Sequence, residues 1–293
     1  SRRGRGKGSI QFLGFKPLND DLLFKGETHI MISEKDRSYL LSQIEMHIGE
    51  RPLFYLKFCS EERFAFDVAN GDLYGNAAEY FRNIENESGE VGQGDKNELL
   101  CIIETQRITA IDPITGKVFM TAPSGQMKIE FGVDKVIPIV SFVGISLRDM
   151  VLYDFDGAHA EFRFPFTDDE CIRIKEKFGN YCVIIGAREL EAKIENYCRS
   201  VGGADFIFDK VTYCSQNTIQ RIDAFNKGDK RRFLYKNEAF AYQREYRLAI
   251  AIEMPDDHFI RLGKLENAKV FASDEIRNFG FSLEYKTSPK QES

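Results

Sequence analysis

Three polar side chains near the carboxyl end of the chain could act together. Gln243, Glu245 and Arg247 are spaced two residues apart in a segment predicted to form a strand. Successive side chains of a strand point to opposite faces, so these three share one face within about 13 Å of backbone. An amide, a carboxylate and a guanidinium that converge in this way could form a binding or catalytic site. A strand stabilised by salt bridges contains the same groups, and both interpretations stay open at this point.

The pair Gln243-x-Glu245 resembles the closing motif of mono-ADP-ribosyltransferases. The resemblance implies that NAD is the substrate, that Glu245 holds the ribose 2'-hydroxyl and favours an oxocarbenium-like transition state, and that Gln243 orients the acceptor. Such a cleft needs an aromatic ring to stack on nicotinamide and a cation to hold the pyrophosphate. The candidates are Tyr74 or Tyr80 for the ring, and Arg82 or Arg247 for the cation. The alternative is that these tyrosines pack at the surface and that Arg82 forms ion pairs.

A longer series of motifs resembles a group of uncharacterised bacterial and prophage proteins. The motifs, spread over residues 71–250, are Gly71-Asp-Leu-Tyr74, Tyr80-Phe-Arg82, Gly94-Asp95-x-x-Glu98, Gly-Asn-Tyr-Cys-Val-Ile-Ile at 179–185, Val211-Thr-Tyr213 and Tyr242-x-x-Glu245-Tyr-Arg247. Two departures are that Gln243 stands where the group usually has Glu, and that no Pro follows Asp95. The resemblance implies a cytoplasmic protein of bacteria or phage, connected with phage defence or its inhibition.

The elements around these motifs alternate irregularly between strands and helices, which is typical of an α+β fold. We expect helices beginning at residues 33, 60 and 167, at 77–84 and 187–199, and in part of 223–234. The expected strands are 10–15, 27–32, 52–59, 99–104, 117–121, 126–131, 136–145, 151–155, 160–164, 181–185, 205–213 and the strand of Glu245. They predict a single α+β domain over residues 10–286, built on a largely antiparallel or mixed sheet with flanking helices.

Local sequence signals predict where two of these helices begin or end. Thr167 and Glu170 have the spacing of a capping box at the start of a helix. In the helix beginning at residue 60, we expect Phe64 and Val68 to face the core and Gly71 to end the helix in a left-handed conformation.

Composition limits the classes of function. The net charge of −6 combines a basic segment at residues 1–9, which carries +4, with an acidic remainder. We expect residues 1–9 to be disordered or a remnant of an expression vector, and residues 287–293 to be a polar tail. The acidic remainder argues against nucleic-acid binding except through the basic segment. Neither a membrane span nor the apolar core of a secretory signal is present, which predicts a cytoplasmic protein.

Cysteine and histidine usage argues against a metal centre. The six cysteines form no Cys-x-x-Cys pair, and the four histidines are not paired at helical spacing. We therefore expect reduced, buried thiols and no zinc site. A divalent cation held by Asp95, Glu98 and Glu245 stays open as an alternative.

Two classes of function follow. The first is an NAD-dependent ADP-ribosyltransferase-like or NAD-glycohydrolase-like enzyme with Glu245 as the key carboxylate. The second is a non-enzymatic protein that binds a partner or assembles with itself, for example an inhibitor in phage defence or counter-defence. Geometry discriminates between them: a catalytic Glu245 should line an open pocket beside an aromatic ring, whereas a structural one should be covered and paired to arginine.

Overall fold

A computed structural model of the chain describes residues 51–88, 94–155 and 159–284, together with the isolated positions 11, 12, 38 and 42. The tails 1–9 and 287–293, the strand expected at 27–32 and most of the helix expected from residue 33 lie outside the described residues. The chain divides into two compact units. Unit 1 comprises Ser1–Ala65, Ile145–Ala187 and Lys269–Ser293, and unit 2 comprises Phe66–Gly144 and Arg188–Ala268. The single domain expected from the sequence stays a prediction, and each unit is described by itself.

The α+β class expected from the sequence is confirmed. The described α-helices are α1 Glu62–Ala69, α2 Ala78–Ser88, α3 Asp168–Phe178, α4 Ala187–Ser200 and α5 Ile219–Asn226. The described strands are β1 Gln11–Phe12, β2 Phe54–Cys59, β3 Asp72–Tyr74, β4 Cys101–Thr105, β5 Ile108–Ile111, β6 Val118–Ala122, β7 Gly125–Ile129, β8 Ile139–Ile145, β9 Val151–Phe155, β10 His159–Arg163, β11 Tyr181–Gly186, β12 Phe206–Lys210, β13 Thr212–Tyr213, β14 Tyr235–Lys236, β15 Glu245–Ile250, β16 Phe259–Arg261, β17 Lys269–Ala272 and β18 Gly280–Glu284. Among the residues described, no helix is both long enough and apolar enough to cross a bilayer.

Unit 1 contains two sets of antiparallel strands. In the first set, β11 pairs with β2 on one side and with β17 on the other. In the second set, four strands follow in the order β1, β18, β10, β9. Helix α3 begins with the expected capping box, in which the Thr167 hydroxyl accepts from the Glu170 amide and the Glu170 carboxylate accepts from the Thr167 amide. This local signal therefore predicted the start of α3 correctly.

In unit 2, strand β15 lies between two antiparallel neighbours, β12 and β8. Glu245 is opposite Val143, and Arg247 is opposite Ser141. Residues directly opposite in an antiparallel pair point to the same face, so Ser141, Glu245 and Arg247 share one face. The register of β8 and β15 thus brings a hydroxyl to the carboxylate and the guanidinium.

A long β-hairpin extends from residue 101 to residue 129 in unit 2. Strand β4 pairs with β7 at its base, and β5 pairs with β6 towards its tip. The sequence analysis did not predict β5. Ile108–Ile111 has only four residues, and its apolar and polar side chains do not alternate regularly. The residues at 113–121 are all exposed. Because six of its large apolar side chains are exposed, we call residues 101–129 the apolar arm.

Helix α1 corrects one expectation about the core. Val68 is 4% exposed as expected, but Phe64 is 37% exposed and Arg63 lies over its ring. In this helix of eight residues, Ala65 and Val68 supply the buried contacts instead. Gly71 follows the helix with φ of +84°, as predicted.

Gly144 of β8 allows the ring of Tyr246 on β15 to lie against the sheet. A Cβ atom at position 144 would come within 2.2 Å of a Tyr246 ring carbon. We expect Gly144→Ala to lower the free energy of unfolding by about 1–3 kcal/mol, because the added carbon forces the half-buried ring to move away from the sheet. Gly186→Ala is the control, since nothing lies within 4 Å of its added carbon. Equal urea midpoints for the two variants would contradict this packing role.

Candidate functional site

The Glu245 carboxylate lies at the start of β15 and accepts hydrogen bonds on both oxygens. Oε1 accepts from the Ser141 hydroxyl at 2.6 Å and from Arg247 Nε at 2.9 Å. Oε2 accepts from Lys236 Nζ at 2.9 Å. Only 4% of the residue is exposed, so the surrounding donors replace the water that an ionised carboxylate requires.

Arg247 bridges Glu245 to a second carboxylate from a distant part of the sequence. Its Nη1 and Nη2 donate to the two oxygens of Glu98 at 2.6 and 3.2 Å, which is a bidentate pair. Nη1 also donates to the carbonyl of Phe233 at 2.9 Å. Arg247 and Glu98 are each 2% exposed. We call Glu98, Lys236, Glu245 and Arg247 the ion-pair cluster, whose formal charges cancel.

Gln243 is brought to this cluster, but not in the way the sequence predicted. It lies in a 3-10 helix, Glu238–Gln243, and the next residue, Arg244, is left-handed with φ of 48°. The strand therefore begins at Glu245, and the expected strand alternation does not extend to Gln243. Instead, Lys236 Nζ connects the two residues, because it also donates to Gln243 Oε1 at 2.9 Å.

The carboxylates and the cations of the ion-pair cluster stabilise each other's charged forms. Burial by itself would raise the pKa of Glu245, but Arg247 and Lys236 outweigh it and hold that pKa well below its usual range. Burial would likewise lower the pKa of Arg247, but Glu245 and Glu98 raise it above its ordinary value. Both groups are therefore charged at neutral pH.

Asp95 lies beside the ion-pair cluster, and its pKa is shifted in the opposite direction from that of Glu245. Burial raises the pKa of its carboxyl to about 6, and the nearby charge of Glu98 adds to the rise. The Asn97 amide donates to Asp95 Oδ1 at 2.9 Å, and the charges of Lys236 and Arg247 oppose the rise only in part. Asp95 is thus a buried acid that titrates just below neutral pH.

The proposed cofactor-binding residues lie in several places. Arg247 is in the ion-pair cluster. Tyr74 is 48% exposed and stacks on His258, and Tyr80 is 49% exposed and contacts the edge of Phe81. Both rings therefore pack against other aromatic side chains outside the ion-pair cluster.

Arg82 reaches the cluster only through the backbone. Its Nε donates to the Glu98 carbonyl at 2.7 Å, and its Nη1 pairs with Glu130 at 2.6 Å. It therefore holds the segment that carries Glu98, and its charge is already matched by a carboxylate.

Comparisons with protein-family models, with curated proteins and with solved structures found no match.

The structure also assigns positions to the residues considered for metal binding. Glu98 and Glu245 bind different nitrogens of Arg247, so the guanidinium already supplies a cation to both carboxylates. Among the described residues, no three His, Cys, Asp or Glu side chains form a group that could hold a metal ion. All six cysteines are free thiols in buried positions, as expected.

Sequence reasoning missed three contributors to this site. Lys236 and Ser141 bind the Glu245 carboxylate, and the Tyr213 hydroxyl accepts from the Glu245 amide at 2.9 Å. Burial and the charge of Glu245 raise the pKa of Tyr213, so the hydroxyl stays neutral. The one available signal was Lys236 itself, a single cation directly after the apolar run Phe233, Leu234 and Tyr235.

Removal of Arg247 should destabilise the protein strongly. Arg247→Met leaves two buried carboxylates without their shared cation, for which we expect a loss of about 3–5 kcal/mol in the free energy of unfolding. Arg199→Met is the matched control, because it removes an exposed pair with Glu195 and should cost at most about 1 kcal/mol. Urea unfolding measures both, and similar losses would contradict the structural role of Arg247.

Asp95 should make stability depend on pH. Because its folded pKa of about 6 lies above the value of about 3.9 for an unfolded chain, the folded state gains stability as pH falls through 6 towards 4 and loses it as pH rises. Asp95→Asn removes this titration. We expect the variant to exceed wild type by about 2–3 kcal/mol at pH 7.5 and to match it near pH 4. A difference that is constant between these pH values would contradict the assignment.

Proposed function

We propose that this chain is a non-enzymatic protein-binding protein that acts through the apolar arm. The observation that carries the proposal is the exposure of large apolar side chains on this hairpin, with Phe119 72% and Ile114 93% exposed. Single exposed apolar residues are ordinary, but a concentration of them marks an interaction surface. The cytoplasmic location and the setting of phage defence or counter-defence belong to the proposal, and their support is the sequence resemblance alone.

The geometry of Glu245 also supports this proposal. The criterion for a structural carboxylate is that it is covered and paired to arginine, and Glu245 is 4% exposed with Arg247 Nε at 2.9 Å. Its other oxygen is bound by Lys236. A ribose hydroxyl could reach Glu245 only after this network opened, and opening it would leave buried charges unpaired. The hypothesis of an NAD-dependent transferase or glycohydrolase stays a prediction, and it requires this network to open.

Titration of NAD discriminates between the two hypotheses. Calorimetry and an assay for released nicotinamide would be run on the wild type and on Glu245→Gln. We expect neither heat of binding nor nicotinamide from the folded wild type, because the carboxylate is enclosed. Binding with turnover in the wild type, and loss of turnover in the variant, would overturn the non-enzymatic proposal.

Site-specific photo-crosslinking tests binding through the arm. A benzophenone amino acid at position 119 should form covalent adducts with another polypeptide in cells. The same group at position 219, where Ile219 is 79% exposed but lies on helix α5, should form none. The captured chain, once purified, should bind the wild type and not Phe119→Ser. Absence of adducts from position 119, or equal adducts from both positions, would overturn the proposal.

A further inference from the structure

We infer that Arg221 binds the carboxylate group of a small organic acid within unit 2. This inference goes beyond the proposed function, because it concerns a buried cation and not the exposed side chains of the apolar arm. Three observations support it. Arg221 is buried without an acidic partner among the described residues, two of its nitrogens have no hydrogen-bond partner there, and a second unpartnered donor, on Gln216, lies against the same segment of the chain.

Arg221 is a buried cation whose charge is not matched. It lies at the start of helix α5 and is 1% exposed. Its Nη2 donates to the Leu100 carbonyl at 2.7 Å, and among the residues that the structure describes it forms no ion pair. The other two buried arginines of that part of the chain, Arg232 and Arg247, each pair with a buried carboxylate. Because a buried charge is strongly destabilising unless it is paired, an anion that reaches Arg221 should bind favourably.

The guanidinium of Arg221 keeps one complete edge for a carboxylate. Nε and Nη1 are buried and have no hydrogen-bond partner within the described structure. Each of them forms one edge of the planar group together with Nη2, which carries two hydrogens. The Leu100 carbonyl takes one of these hydrogens, so the other lies beside an unpartnered nitrogen. Such an edge is the two-donor fork that binds both oxygens of a carboxylate.

Gln216 brings another donor to the same place. Its Oε1 accepts from the Ile102 amide at 3.1 Å, whereas its Nε2 is buried without a described partner. Because Cys101 is extended, the Leu100 carbonyl and the Ile102 amide point to the same side of the chain. The side chains of Arg221 and Gln216 therefore approach the start of β4 from one side. Their unpartnered atoms are all donors, so a ligand there must supply acceptors.

The other polar groups near Arg221 do not supply the missing negative charge. Burial raises the pKa of the Cys101 thiol, and it also raises the pKa of the Tyr235 hydroxyl. The charge of Arg221 opposes the rise in both cases without reversing it. Both groups are therefore neutral at neutral pH. Water could accept hydrogen bonds from the unpartnered donors, but it would leave the charge of Arg221 unmatched.

The chemistry of the site favours a small carboxylate over other oxyanions. A carboxylate has one negative charge and only acceptors, which matches one guanidinium and a set of unpartnered donors. Hydrogen phosphate has a second charge and a hydroxyl group that needs an acceptor of its own. The burial of Arg221 restricts the ligand to a short acid such as formate or acetate. Gln216 is part-exposed in a turn between exposed Ser215 and Asn217, so one wall of the site reaches the surface.

Thermal unfolding of the full chain in sodium formate or acetate tests this inference, with sodium chloride keeping the ionic strength constant. The midpoint of the wild type should rise with carboxylate concentration, because a ligand of the folded state stabilises it. Arg221→Met should abolish the rise, and Arg199→Met, at an exposed arginine, should keep it. Gln216→Leu should weaken the apparent affinity about ten-fold, the value of one hydrogen bond to a charged group. Gln220→Leu, at an exposed position of α5, should leave it unchanged.

Nuclear magnetic resonance of carbon-13 formate measures binding directly. Its line should broaden with the wild type and stay sharp with Arg221→Met. A midpoint that rises no more than in chloride, or equally in the wild type and Arg221→Met, overturns the inference and leaves water as the partner of these donors. A larger rise with phosphate than with acetate also overturns it, because the ligand is then of another class. If circular dichroism shows that Arg221→Met is unfolded, Gln216→Leu decides, and an unchanged affinity for formate overturns the inference.

Discussion

The structure of unit 2 depends on one buried guanidinium that is shared by two carboxylates. Arg247 holds Glu98 in a bidentate pair and Glu245 through Nε, and all three residues are at most 4% exposed. Ion pairs of this kind are costly to desolvate, and a partial set is worse than none. The contact therefore acts as a constraint: the segment before β4 must meet β15 in one register, or buried charges remain unpaired.

The same ion pairs give Glu245 a structural role. A carboxylate that retained solvent access and a free oxygen could take part in catalysis, but Glu245 is bound by Ser141, Lys236 and Arg247. Strong pKa shifts are therefore not by themselves signs of an active site here, because pairing inside a core produces them too. The apolar arm shows the opposite condition, since its side chains remain exposed where burial would be favourable. We therefore propose that the exposed apolar side chains of the arm, and not the enclosed carboxylate, carry the function.

Local signals in the sequence were sufficient for some elements and not for others. The capping box of Thr167 and Glu170 and the left-handed Gly71 are set by neighbouring residues, so both were predicted. Strand alternation correctly placed Glu245 and Arg247 on one face. It failed at Gln243 because the left-handed Arg244 interrupts the strand. Glu98 is 149 residues from Arg247, and no local pattern indicates which distant carboxylate a buried arginine will meet.

A double-mutant cycle between Glu98 and Arg247 tests the central claim most directly. Urea unfolding would be measured for wild type, Glu98→Gln, Arg247→Met and the double variant. A shared buried ion pair predicts strong non-additivity, with a coupling free energy of about 2–3 kcal/mol, because the second substitution removes a charge that the first has left unpaired. Additive losses, to within about 0.5 kcal/mol, would show that the two residues do not depend on each other and would contradict the account.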